Sequence, residues 1–223
     1  MDLRPAWSYS SMGLFEQCPK KYYHIRVIKD VTEPKSEAIL YGEMVHKAAE
    51  DYIKDDVSIP AKFSQFESAI KPFKDMPGEK HCEYKMGLTE VGEPCGFFDK
   101  GVWLRGIADL IIVNGDKARI VDYKTGKSSK YADSKQLDLM ALCTFAHFPE
   151  VQRITAGLLF LVANDLVKRK YERGDFLGIM REWTEKYSWL TKTYQEDVWN
   201  PKPNFTCRNY CPVKSCPHNG RNY

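Results

Sequence analysis

The stretch from Gly106 to Gly126 constrains this chain more than any other. Two apolar runs, 106–113 (GIADLIIV) and 118–125 (ARIVDYKT), flank Asn114-Gly115. Asn-Gly between such runs is a strong hairpin signal, because both residues accept the positive φ that a tight turn demands. Register then follows from parity. If Asn114 and Gly115 alone form the loop, Asp109 faces Ile120 and Asp122 lies two residues along the same strand. If the loop spans 114–117, Asp109 faces Asp122 directly. Side chains alternate with period two, so either even-length loop places Asp109, Asp122 and Lys124 on one face; a three-residue loop would separate them.

Two carboxylates on otherwise apolar strands repel each other and resist burial. A divalent cation relieves both problems, and hard oxygen ligands suit Mg²⁺ or Mn²⁺. Lys124 adds a cation two residues from Asp122, within reach of a phosphate or of water on the metal. Charge neutralisation at phosphorus and a water of lowered pKa are what phosphodiester hydrolysis needs. The plainer alternative is a pair of solvated aspartates at a sheet edge. Asp116 and Lys117 read as turn residues.

Around this hairpin the apolar spacing predicts a short helix within 8–30 broken at Pro19, and helices over 36–54, 62–75, 133–147 and 173–196. On 36–54 the expected apolar face carries Ile39, Leu40, Met44, Val45, Ala48, Ala49, Tyr52 and Ile53. Residues 76–80 form a turn. Strands are expected near 82–88, 95–98, 102–113, 118–124 and 154–163, with an irregular tail from Pro201. The order implies an α/β core, a central mixed sheet flanked by helices, in a single domain over 1–223. No apolar run approaches the roughly 20 residues of a membrane span, and the first residues lack a signal-peptide core, so a cytoplasmic protein is expected. The formal net charge of +3 is compatible with nucleic acid without requiring it.

Seven cysteines without a secretory signal argue against a disulfide framework. Cys207, Cys211 and Cys216 crowd the tail. Thiolates that close need a metal or cluster to neutralise them, and zinc and [4Fe–4S] both want four ligands. Cys82, Cys95 and Cys143 fall in predicted core elements and read as packing residues.

Gly106-Ile-Ala-Asp109 followed by Val121-Asp122-Tyr123-Lys124-Thr125-Gly126 resembles the PD-(D/E)xK nuclease superfamily, specifically its RecB-like exonuclease branch. Ser8 through Cys18-Pro19 and Tyr22 is similar to that branch's opening motif, and Gly42-Glu43-Met44-Val45-His46 to its helical motif. Gln136 matches the glutamine of its Q-x-x-x-Y motif, and 201–216 its cysteine-bearing tail. The resemblance implies Mg²⁺ or Mn²⁺ held by His46, Asp109, Asp122 and the backbone carbonyl of Tyr123. It implies Lys124 orienting the attacking water, and Gln136 near the DNA or the active-site base. One position departs: Met140 stands where the family has tyrosine. Gln136 also lies three residues after Asp133, a capping-box spacing, and Glu83 is a candidate further acid. The resemblance supplies Cys18 as fourth ligand of an iron–sulfur cluster with Cys207, Cys211 and Cys216, so that 1–30 and 200–223 form one cluster-bearing subregion; Zn²⁺ on the same ligands is the alternative.

The expected activity is exonucleolytic hydrolysis of DNA, on single-stranded ends, in replication, recombination or repair, or in phage or CRISPR-adaptation systems, with proteins of replication or recombination as possible partners. The rival is an inactive nucleic-acid-binding scaffold of the same fold. Trp7, Tyr9, Phe15, Tyr22 and Tyr23 are candidates to stack on bases, and Lys20, Lys21, Lys127 and Lys130 to track phosphates.

Overall fold

The computed structural model describes residues 5–130 and 132–220. The outermost residues of the expected cluster-bearing subregion, 1–4 and 221–223, lie outside this range. Helices are α1 (Tyr9–Gln17), α2 (Pro19–Tyr22), α3 (Glu37–Lys54), α4 (Glu67–Lys74), α5 (Gln136–His147), α6 (Phe176–Glu196) and α7 (Thr206–Asn209). Strands are β1 (Glu79–Leu88), β2 (Pro94–Cys95), β3 (Leu104–Asn114), β4 (Lys117–Lys124), β5 (Arg153–Phe160) and β6 (Asp165–Glu172). The chain falls into two compact units. One is Ser36–Arg181; the other combines the chain up to Lys35 with that from Glu182.

The Ser36–Arg181 unit is a six-stranded mixed sheet in the order β2-β1-β3-β4-β5-β6. Every pairing is antiparallel except β4 with β5, which is parallel. A parallel pair needs a crossover, and α5 provides it. Between β3 and β4 the closing pair is Asn114↔Lys117, so Gly115 and Asp116 make the turn, with Gly115 at φ 59°. β6 was not expected from the sequence: DLVKRKYE is mostly charged and exposed. It is a sheet-edge strand, and lysines there discourage pairing with another chain.

On one side of the sheet, Val45, Ala48, Ala49, Tyr52 and Ile53 of α3 and Ile70 and Phe73 of α4 pack with Leu110, Ile112, Val121 and Tyr123. The broad apolar face expected of α3 is therefore half realised. Ile39, Leu40 and Met44 stay exposed, because the packed stripe occupies only the C-terminal half of the helix. On the other side, α5 is buried from Leu137 to Phe145, as a helix apolar all round must be.

Strict alternation fails at one place. Gly106 lies against Met140 and Cys143 of α5, yet Leu110, an even number of residues on, packs with α3 and α4. On β1, Tyr84 packs edge-on against His147 and tilted against Phe148, while Cys82 lies against the α3 cluster. The half-period slip falls at Glu83, whose φ is +48°, and at Asp109 opposite it. Their pair is the one missing between Cys82↔Leu110 and Tyr84↔Ala108. A left-handed non-glycine residue costs on the order of 1–3 kcal/mol and persists only where its surroundings hold it; such strain clusters at functional sites.

The other unit packs around aromatic rings. Trp7 stacks on Trp183 at 5.6 Å and on Tyr187 at 5.9 Å between centroids, and Tyr22 stacks on Trp199 at 6.0 Å. Trp7, Phe15 and Tyr22 are 1%, 0% and 2% exposed. Base stacking expected of these three is thereby overturned: the apolar spacing marked a core. Lys21 is likewise buried, paired with Glu33 at 2.5 Å. The helical run breaks before Pro19 as expected: α1 ends at Gln17, Cys18 is extended, and Pro19 starts α2 as its first residue. Among the described residues, no helix is long and apolar enough to cross a membrane.

Candidate functional site

The acidic residues meet where β3 and β4 part. The ladder between these strands ends at Leu110↔Val121, so Asp109 and Asp122 come next in register, opposite each other. This is the register expected of the 114–117 loop, although Asn114 and Lys117 pair and only Gly115 and Asp116 form the turn. The backbone pair does not form there. Instead, the Tyr123 amide donates to Asp109 Oδ2 at 2.7 Å. Asp109 Oδ1 lies 3.4 Å from Nδ1 of His46 on α3. One ligand atom each from His46, Glu83 and Asp109 all lie within 4.8 Å of one another. Gly42, one turn before His46, brings α3 close: a Cβ there would stand 3.4 Å from Thr125 Oγ1.

A second set closes on Asp122. Gln136, first residue of α5, donates from Nε2 to Asp122 Oδ1 at 2.6 Å. Lys124 Nζ lies 2.6 Å from Asp122 Oδ2 and donates to Gln136 Oε1 at 3.2 Å. Gln136 therefore does not act as a helix cap; Asp133 accepts the Lys135 amide instead. A glutamine is suited to this place, since one amide can donate to a carboxylate while accepting from an ammonium.

Electrostatics bind the two sets. Burial, then the negative charge of Asp109, push the Asp122 carboxyl above the usual aspartate value, against the pull of Lys124 and His46. Burial, then Asp109, likewise raise Glu83. Burial alone would lower the His46 pKa, but its bond to Asp109 and the charges of Asp109, Asp122 and Glu83 raise it overall. Glu83 and Asp109 repel each other, and with the His46 imidazole they present hard oxygens and one nitrogen, a donor set able to hold a divalent metal ion.

His46, Asp109, Asp122, Tyr123, Lys124 and Gln136 thus gather around one junction. Glu83, which the sequence offered only as an additional acid, joins them. Its signal was an acid inside a strand; the backbone inversion that presents it has no mark in the sequence. Met140 is buried over Gly106, so the family's tyrosine position is here a packing residue.

In the other unit, Cys18, Cys207, Cys211 and Cys216 line one small cavity with Pro201, Val213 and Asn219. All seven cysteines are free of disulfides. The Lys202 amide donates to Cys18 Sγ and the Asn204 amide to Cys207 Sγ, each at 3.4 Å. Asn219 pins the loop by donating to the Cys211 and Val213 carbonyls at 2.9 and 3.1 Å. Burial, together with the nearness of Cys207 and Cys18, raises the Cys211 thiol. Among the described residues, no three of these sulfurs all lie within 4.8 Å of one another. Cys143 is buried and its thiol is pushed up to about 12, while Cys82 and Cys95 are half-buried.

Comparison with known proteins bears on the fold and the family. A crystal structure from Eubacterium rectale, described as a "Putative exonuclease", superposes with a TM-score of 0.57 at 13% identity, over 95% of this chain and 88% of that one. The crystal structure of SSO0001 covers 96% of this chain and 86% of its own, with a TM-score of 0.49 at 16% identity. No curated protein sequence matches. The model of the PD-(D/E)XK nuclease superfamily matches residues 6–217, nearly the whole chain, and the chain belongs to that superfamily.

Proposed function

We propose that this nuclease is a divalent-metal-dependent DNA exonuclease of the RecB-like branch, acting on single-stranded ends in replication, recombination or repair. The observation that carries the reading is the junction itself: Asp109, Asp122, Glu83 and His46 converge beside one ammonium group, Lys124. His46, Asp109, Asp122 and the Tyr123 carbonyl would hold Mg²⁺ or Mn²⁺, with Glu83 as a further oxygen donor. When bound, the cation neutralises phosphate charge and lowers the pKa of water.

The protein's own groups do the rest. The Tyr123 amide fixes Asp109, so the carboxylate turns its other oxygen towards His46. Gln136 fixes Asp122 and at the same time holds Lys124 Nζ. Lys124 would face the attacking water and the phosphate, donating to whichever oxygen gains negative charge. The inverted backbone at Glu83 turns a third carboxylate to the same point.

The four cysteines would hold a [4Fe–4S] cluster. A single zinc with bonds of about 2.3 Å draws its sulfurs to roughly 3.8 Å from one another. Amide donors aimed at Cys18 and Cys207 suit thiolates carrying charge.

The test is digestion of 5′- and 3′-labelled single and duplex oligonucleotides with Mg²⁺, Mn²⁺ or EDTA. Progressive shortening of single strands that stops in EDTA is expected. Tight DNA binding without cleavage in any divalent cation would instead identify an inactive scaffold. Brown anaerobic protein containing iron and sulfide supports the cluster; colourless protein with stoichiometric zinc excludes it.

A further inference from the structure

At the opposite end of the same sheet lies a cleft of about 450 Å³ that the chemistry above does not use. It runs between Met76-Pro77, just after α4, and the starts of β4 and β5 with the end of β6. Its cations come from three strands. Arg119 on β4 pairs in register with Thr155 on β5, which pairs with Lys170 on β6. Residues opposite in register share a face, so Arg119 and Lys170 look the same way. The neighbouring rows on that face bring Lys117 with Arg153, and Gly157 with Lys168. A narrower groove against Phe73, lined by Arg119, Thr155, Gly157 and Lys168, continues the cleft along the sheet.

Charge here is out of balance. Arg153 is paired with Asp116 at 2.6 Å, and Glu172 also lines the cleft. Lys117, Arg119, Lys168 and Lys170 make no ion pair among the described residues. One sheet face thus gathers four cations outside any ion pair, with Glu172 the one acid among the described residues beside them that is not ion-paired, and presents net positive charge to solvent. Strands stand about 4.8 Å apart and alternate residues about 6.7 Å apart. Arg119, Lys168 and Lys170 are thus spread too widely for one phosphate, and suit consecutive charges along a polyanion.

We propose that this cleft binds the phosphate backbone of a nucleic-acid strand at a second place, remote from the cleaved bond. The proposal rests on the nuclease reading for the identity of the polyanion. Arg119 is three residues from Asp122, about 10 Å along β4. The odd spacing turns Arg119 and Asp122 to opposite faces of β4, so only a strand long enough to pass from one face to the other reaches both, which favours long substrates over short ones.

The test compares the wild type with the triple variant Arg119→Gln, Lys168→Gln, Lys170→Gln, binding labelled long and trinucleotide single strands in EDTA across a salt series. Affinity for the long strand should fall about tenfold or more. The slope of log K against log salt should shrink by roughly 0.7 for each phosphate that the variant no longer neutralises. Trinucleotide cleavage in Mn²⁺ should be unchanged. The charge-preserving variant Lys168→Arg, Lys170→Arg should keep both affinity and slope, and it serves if the triple variant unfolds. An unchanged salt slope in the folded triple variant overturns the proposal. So does loss of pyrophosphate binding with long-strand binding intact, which would mark a small-anion site. Because binding is read in EDTA, a wild type that binds but never cleaves sinks the nuclease reading alone.

Discussion

The acidic junction and the cysteine cavity gather charged ligands in opposite ways. At the junction, most ligands are already held by the fold: the Tyr123 amide restrains Asp109, and Gln136 with Lys124 restrains Asp122. They come from strands adjacent in the sheet, so β-pairing sets most of their spacing. Around the cysteines, residues far apart in sequence meet in an irregular tail whose last helix is four residues long. One amide reaches each of two sulfurs there. The difference is one of preorganisation: the fold itself holds the carboxylates of the junction, whereas few contacts hold the cysteine end, which under the proposed cluster would owe its order to that cluster.

The sharpest way to break this comparison is Asp109→Asn, which keeps an acceptor for the Tyr123 amide and removes the charge. Cleavage should drop about 10³-fold or more, with little change in melting temperature. A large loss of stability with near-normal cleavage would reverse the roles of the two regions. Cys211→Ser should do the converse: it should abolish iron binding and lower the melting temperature by several degrees, while Mn²⁺ binding at the junction persists. Calorimetry with metal analysis checks both.

Proton competition gives a smaller, graded effect. Asp122, Glu83 and His46 all hold their protons to higher pH than the free side chains. Each must lose its proton to ligate a cation. Affinity for Mn²⁺ should therefore rise with pH from the usual carboxylate range to beyond 6.5, by up to about tenfold per pH unit for each proton displaced. It should level once His46 is neutral. Titration calorimetry at several pH values tests this, and a flat profile would remove these groups from the ligand set. Smallest of all, Gln136→Ala should slow cleavage about tenfold by freeing Lys124 and Asp122, with no loss of helix stability, since Gln136 caps nothing.

Much of this was legible beforehand because it is local. The turn signal at Asn114-Gly115 located the β3–β4 hairpin, with the turn itself one residue later at Gly115-Asp116, and motif order brought in His46 and Gln136. What escaped depends on context. β6 reads as a solvated charge run because it lies at the sheet edge, where only one flank is paired. The buried rings of Trp7, Phe15 and Tyr22 looked available for bases because helical spacing cannot say what covers a face. Glu83 was offered as a further acid, but the left-handed backbone that presents it is announced by no residue preference, and that inversion also breaks the alternation from which the hairpin was argued. The basic cleft comes from three strands, so its cations share no motif.

The central claim is that the carboxylates flanking the β3–β4 fork act with a divalent cation on a phosphodiester bond. It is tested most directly by single-turnover cleavage of an end-labelled single strand in Mn²⁺, comparing the wild type with Asp122→Ala. The account predicts metal-dependent cleavage in the wild type and loss of at least about 10³-fold in the variant, with the fold intact by circular dichroism. Undiminished cleavage by Asp122→Ala would contradict it.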